Sequence, residues 1–196
     1  MRLPFGILVF WLLFAGPAVR GQNLDIRWLD RLNGPVRPRI DGIWQLMSNS
    51  MGPVGFAAPV AVFAAGVARH DKDLRIKSYT IGASFLLSTA ITTITKVSVR
   101  RPRPYVTYPD RIFKKGKGGS FSFPSGHTTA AFATATSLSL AFPKWYVIAP
   151  SFAYAGAVAY SRMYLGVHYP SAVVGGIVVG VGTSLLVFQA EKWLRR

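Results

Sequence analysis

The sequence contains no cysteine, which excludes disulfides, thiolate metal sites and cysteine nucleophiles at the outset. Acidic residues are scarce, with 7 Asp and Glu against 23 Lys and Arg, giving a formal net charge of +16. Internal repeats, low-complexity tracts and the period-two alternation of half-buried strands are missing too, which leaves all-α as the fold class. What is abundant is apolar: 51% of the 196 residues are hydrophobic and the mean hydropathy is positive, so one compact domain of this length cannot hide them from water as a soluble globule. In a soluble chain such a basic balance would point to nucleic acid. Here the cations avoid the apolar stretches and gather in short connectors and at the two ends, a distribution suited to anionic headgroups or a phosphorylated substrate; no nucleic-acid partner is expected.

A helix that spans the hydrocarbon layer needs about 20 mostly apolar residues. Six uncharged intervals approach that length. Residues 3–19 follow Arg2 and carry a short apolar core that ends in small residues, which reads as a first span or as a signal peptide cut near Gly21-Gln22. The chain thus divides into residues 1–21, leader or first helix, and residues 22–196, a single membrane domain. Residues 22–41 mix Leu24, Ile26, Trp28, Leu29 and Leu32 with Asp25, Arg27, Asp30 and Arg31, a pattern that fits either an amphipathic interfacial helix or a solvated linker. The remaining spans are expected over 42–68, where Gly52, Pro53, Gly55 and Pro59 would bend the helix or admit a neighbour, and over 78–95, 128–142, 145–160 and 172–190.

Counting crossings, the polar loop from Lys96 to His127 and the link from Arg162 to His168 fall on one side of the membrane. The charged stretch 69–77, Lys144 and the basic C-terminal tail fall on the other. The positive-inside rule puts these short connectors in the cytoplasm and the long loop outside.

Three polar clusters therefore meet one membrane face. Lys96 closes a span, and Arg103-Pro104 follows in an extended, Pro-containing stretch, so that both cationic heads turn over one point. An Arg fork matches phosphate geometry and a Lys adds a mobile point charge, although Lys96, Arg100, Arg101 and Arg103 would equally serve as interfacial anchors. In Pro124-Ser125-Gly126-His127, Ser125 is placed to cap the following helix, whose first N–H groups and dipole end make an anion site with His127 in the first turn. Ser161-Arg162 and His168 flank the junction of the last two spans. Three cations, two histidines and a helix start are the inventory of phosphoryl transfer by fixed donors.

In order and spacing, Lys96-(six residues)-Arg103-Pro104, Pro124-Ser125-Gly126-His127 and Ser161-Arg162-(five residues)-His168 resemble the three motifs of the type 2 phosphatidic acid phosphatase superfamily. The resemblance implies a membrane helix bundle in which Lys96, Arg103 and Arg162 grip the phosphate, with Ser125 and the Gly126 N–H completing the cradle. It implies that His168 is the nucleophile, forming a phosphohistidine that water hydrolyses, and that His127 protonates the leaving group. No metal and no organic cofactor is expected.

One position departs from the family pattern. An aspartate should follow the nucleophilic histidine by four residues, and Ala172 stands there instead. The carboxylate would accept a hydrogen bond from one imidazole nitrogen and leave the other free to attack. By analogy with a serine triad stripped of its orienting Asp, where the loss is about 10⁴-fold, the chain is expected to be impaired by several orders of magnitude. Asp110 lies in the basic loop and the remaining acids near the N-terminus, on the opposite face or in the tail, so no other acid offers itself. The alanine is either an introduced, silencing substitution or a natural variant.

The function expected is hydrolysis of a lipid phosphate or diphosphate at the outer leaflet of a bacterial inner membrane, with the site facing the periplasm or cell exterior. Undecaprenyl diphosphate, phosphatidylglycerophosphate, phosphatidic acid and a lipid A phosphate are all candidates. A lipid phosphotransferase and a non-catalytic phospholipid-binding membrane protein are the alternatives.

Overall fold

The computed structural model describes residues 18–195, so the leader or first span expected over residues 1–21 lies almost wholly outside the described residues. Among these residues eight helices follow one another: α1 (Ala18–Asn33), α2 (Pro38–Asn49), α3 (Met51–Ala68), α4 (Lys72–Val99), the single turn α5 (Pro104–Thr107), α6 (Gly126–Ala141), α7 (Trp145–Tyr164) and α8 (Pro170–Leu194). Among the described residues there is no strand, in keeping with the all-α expectation.

Local chemistry sets the boundaries, and in several places moves them from where hydropathy alone puts them. The Asp71 carboxylate accepts hydrogen bonds from the backbone N–H groups of Asp73 and Leu74, so the charged stretch is helical from Lys72 and α4 begins six residues before the apolar run. At its other end Arg100 adopts a left-handed conformation, φ 51°, and Pro102 follows, which stops α4 just beyond Lys96. The span expected over 42–68 starts earlier, at Pro38, and is divided between α2 and α3 at Ser50. Pro59 and Pro150 lie inside helices without ending them.

Among the described residues three stretches, Pro38–Ala68, Lys72–Thr107 and Pro170–Leu194, are long and apolar enough to cross a membrane. Burial is inverted relative to a soluble bundle. Phe56, Leu86, Ile94 and Leu186 are exposed on the outer faces of α3, α4 and α8, whereas Ser84, Ser88, Thr92, Thr128, Thr129, Ser137, Thr183 and Ser184 are buried between helices. With lipid as the solvent, helices gain nothing by hiding leucines from it, and small or hydroxylic residues make the contacts instead.

Helix α6 is the hub and packs against α3, α4, α7 and α8. Its closest approach is to α8, where Gly176 and Gly180 leave no room for a side chain: a Cβ on Gly176 would stand 2.8 Å from the Ser125 carbonyl oxygen, and one on Gly180 would stand 2.5 Å from that of Thr129. One turn further, the Ser184 hydroxyl donates to the Ala133 carbonyl at 3.0 Å. This contact fixes the start of α6 against the start of α8.

Residues 22–41 are structured rather than a linker. They form most of α1, the turn at Gly34 and the start of α2, and α1 packs against α7 and α8. Its buried face carries Ile26 and Leu29, which join Ile112, Tyr169 and Ala172 in one apolar cluster, but also Asp25 and Asn33.

Candidate active site

The three polar clusters arrive at one end of the bundle from four elements. Lys96 sits in the last turn of α4, where its ammonium donates to the Phe121 carbonyl at 2.8 Å. Arg103, buried in front of α5, donates through Nε to Gly119 O at 2.9 Å and through one terminal nitrogen to Val167 O at 2.7 Å. That terminal nitrogen also lies 3.2 Å from Nε2 of His168. Arg162 lies in the last turn of α7, not in the link beyond it, and is 3% exposed. Its guanidinium donates to the Ser48 hydroxyl and, at 3.2 Å, to Lys117 O, while its Nε has no hydrogen-bond partner among the described residues. A buried Arg donor left unclaimed fits a site built to receive an anion.

Ser125 occupies the N-cap position of α6 but does not cap it through its side chain, contrary to the expectation. Its hydroxyl oxygen accepts from Thr128 Oγ1 at 2.9 Å, which leaves its own hydrogen to donate elsewhere. The first backbone N–H groups of α6 are thereby left to an incoming oxygen. The serine is held from below, its N–H donating to Ala172 O at 2.9 Å. Gly126 faces Lys96, the two so close that a Cβ on the glycine would be 3.9 Å from Cε of the lysine. His127 is half-buried in the first turn of α6 and within electrostatic reach of Arg162, Arg103 and Lys96.

His168 is the most enclosed member, 2% exposed, in the link between α7 and α8. Burial, reinforced by the charges of Arg162, Arg103 and Lys96, holds its pKa well below the ordinary value of 6.5, so the ring is neutral near pH 7. Its Nδ1 lies 2.6 Å from the Ser122 carbonyl oxygen. Ala172, in the first turn of α8, is fully buried in the apolar cluster and offers no polar group from its side chain. Every residue the motifs single out is therefore brought together, with Ala172 tied to Ser125 through its backbone carbonyl.

Other residues escaped sequence reasoning. Asp25 from α1 reaches the start of α8, accepting from Ser171 N at 2.8 Å and from the Ser171 hydroxyl at 2.5 Å, and pairs with Arg101 at 2.8 Å. Arg101 in turn lies 3.9 Å over the Tyr169 ring. The Asn33 side-chain amide accepts from Phe113 N at 2.7 Å and donates to Phe113 O at 3.0 Å and Tyr164 O at 2.8 Å. Lys115 donates to the Asn33 carbonyl and lies 3.7 Å from Asp41. Through these bonds α1 and α2 hold the 113–121 segment whose carbonyls receive Lys96, Arg103 and Arg162. These hydrogen bonds join residues 76 to 146 positions apart, which explains why no local pattern announces them.

A family model described as the PAP2 superfamily matches residues 78–196. An undecaprenyl-diphosphatase of Sulfolobus acidocaldarius is 32% identical over 113 residues, 58% of this chain and 54% of that protein. A lipid A 4'-phosphatase of Porphyromonas gingivalis is 27% identical over 174 residues, 84% of this chain and 71% of that protein. The chain thus spans about half the length of the first of these relatives. Among solved structures, a transmembrane PAP2-type phosphatidylglycerolphosphate phosphatase from Bacillus subtilis superimposes with a TM-score of 0.75 at 22% identity, over 100% of this chain and 99% of that one, a likeness of fold.

Proposed function

Because this chain belongs to the PAP2 superfamily, we propose that it is a lipid phosphatase that removes phosphate from a phosphorylated membrane lipid through a covalent intermediate on His168, using side chains and a backbone N–H of the protein to hold the phosphate. It is a multi-pass membrane protein. The observation that carries the proposal is the setting of one ring nitrogen: Nε2 of neutral His168 stands 3.2 Å from the Arg103 guanidinium, amid the charges of Lys96 and Arg162. A nucleophile ringed by cations is suited to a phosphoryl group, whose charge those cations offset.

In the first step the Nε2 lone pair attacks phosphorus. The N–P bond forms as the P–O bond to the leaving group breaks, and His127, which is protonated once the bound phosphate offsets the charges of Arg162, Arg103 and Lys96, gives its proton to the departing oxygen. In the second step neutral His127 takes a proton from water, whose oxygen attacks phosphorus as the N–P bond breaks, returning inorganic phosphate and both histidines to their starting forms. Lys96, Arg103, Arg162, the Ser125 hydroxyl and the Gly126 N–H hold the phosphoryl oxygens throughout.

A lipid substrate is supported by a groove of 420 Å³ on the bilayer side of the site, between α4 and α8, lined by Ile91, Thr95, Phe123, Val174, Val178 and Leu186 among others. Thr95 adjoins Lys96 and Phe123 adjoins Ser122, so a chain lying in this groove would lead its head group to the cations. Residues 22–196 are proposed to act as one domain, with residues 1–21 as a leader or first span. The cations of α4's first turn, Lys144 and the tail lie at the end away from the site, which supports a site on the periplasmic side of an inner membrane.

The test is phosphate release in detergent from a panel comprising undecaprenyl diphosphate, phosphatidylglycerophosphate, phosphatidic acid and a lipid A phosphate. Turnover of at least one, abolished by His168→Ala, is expected. Transfer of phosphate to an added alcohol without net release would favour the phosphotransferase. Phosphate-dependent binding of lipid with no chemistry would overturn the enzyme reading.

A further inference from the structure

Where the motif calls for an aspartate, this chain buries an alanine, and the partner that an aspartate would give His168 is already provided. Nδ1 of His168 lies 2.6 Å from Ser122 O, and Nε2 lies 3.2 Å from a terminal nitrogen of Arg103. A carbonyl oxygen only accepts and a guanidinium only donates. Both contacts are satisfied by a single form of the ring, the neutral tautomer with hydrogen on Nδ1 and the lone pair on Nε2. We propose that the Ser122 backbone carbonyl replaces the missing carboxylate as the positioning group for His168, so that this chain is a competent phosphatase and not a disabled one. The inference rests on the function proposed above.

The carbonyl is itself fixed. Ser122 is fully buried, its N–H donates to Arg101 O at 2.8 Å and its hydroxyl to Pro102 O at 2.8 Å, so the segment before Phe123 is tied to the start of the Arg103 cluster. Arg101 is anchored in turn by Asp25. As the N–P bond forms, the ring becomes cationic and its Nδ1–H bond to the carbonyl strengthens. When phosphate enters, the Arg103 terminal nitrogen turns from Nε2 to a phosphoryl oxygen and releases the lone pair. Around Ala172 the space is already filled by Ile26, Leu29, Ile112 and Tyr169. A carboxylate at 172 would enter an apolar cluster with the His168 hydrogen already committed, leaving a buried charge without its intended partner.

The experiment combines turnover with a direct reading of the ring. The full chain, labelled with ¹⁵N-histidine and held in detergent, is examined by NMR at pH 7.5, with His168→Ala used to assign the signals. Phosphate release by the wild type, Ala172→Asp and Ala172→Ser is measured on the same preparations. The expected result is a His168 ring protonated at Nδ1 and not at Nε2, with Ala172→Asp turning over no faster than wild type per folded molecule. A ring protonated at Nε2, or at both nitrogens, would overturn the proposal even if Ala172→Asp fails to fold. A gain of more than tenfold in Ala172→Asp over a folded wild type would overturn it as well, while leaving the phosphatase reading intact. Absence of release from every form would overturn both.

Discussion

Replacing Arg162 by lysine separates the two roles that a cation at a helix end can have. An interfacial anchor needs only a long stem and a positive head, and lysine supplies both. A phosphate clamp needs the planar fork. Arg162 is 3% exposed, spends its terminal nitrogens on Ser48 and Lys117 O, and has a buried Nε without a hydrogen-bond partner among the described residues. Three donating positions are thus engaged or poised, and a lysine ammonium, which is one point, cannot occupy all of them. The bond lost is one to developing charge in the transition state, and removing a single preorganised donor of that kind costs about 2.7–4 kcal/mol, a fall in kcat of about 10²–10³. Arg162→Lys should therefore lose about 10²-fold or more in phosphate release, with the larger effect in kcat, while it still unfolds cooperatively in detergent and is destabilised only by about 1–3 kcal/mol, the cost of a buried hydrogen bond that lysine cannot make, because charge and most of the stem remain. Retention of turnover within threefold would refute the reasoning and return Arg162 to the role of anchor.

Two further outcomes follow from the same geometry. Asp25→Asn removes the charge that pairs with Arg101, in a setting where the carboxylate is 7% and the guanidinium 20% exposed; partial burial sets the cost at about 2 kcal/mol, read as a lowering of the unfolding midpoint by roughly 5 °C. On the acid side of the pH profile the neutral His168 ring is the competent form, so turnover is lost as pH falls through its folded pKa, while the opposite limb reports loss of the His127 proton. Burial and the surrounding cations hold that pKa well below 6.5, so the acid limb of kcat/KM, corrected for ionisation of the lipid phosphate, lies below 6.5, and a limb at or above 6.5 would contradict the site as described. The sign for stability is the same: below 6.5 the unfolded chain takes up a proton that the folded ring refuses, and stability declines toward acid.

Much of the architecture was legible because the bilayer simplifies the code. Apolar intervals bounded by charge mark α3, α4, α6, α7 and α8, and counting crossings alone puts the three clusters at their ends on one face, whereas the turn α5 falls inside the stretch expected to be extended. The errors of boundary share a cause, since hydropathy marks where a helix is apolar and not where it stops. Helix α4 starts at Lys72 because Asp71 caps it, and α7 runs on to Tyr164 because nothing at Ser161 or Arg162 ends it. Ser125 shows the reverse limit: its sequence position was right, while its hydroxyl bonds to Thr128 instead of the backbone.

The supporting contacts were illegible for a different reason. Lys96, Arg103 and Arg162 are held by the carbonyls of Phe121, Gly119 and Lys117, and His168 by that of Ser122. Every residue carries such a group, so nothing in the identity of residues 117–122 distinguishes an acceptor from a bystander. What makes these carbonyls specific is the path of the loop, and that path is set by Asn33 and Lys115 through bonds that cross about 80 residues. A departure from a motif is therefore weak evidence of lost chemistry when the missing group is an acceptor. A backbone oxygen brought to the same nitrogen performs the same service, and the sequence at position 172 records only that the side chain is no longer the one asked to do so.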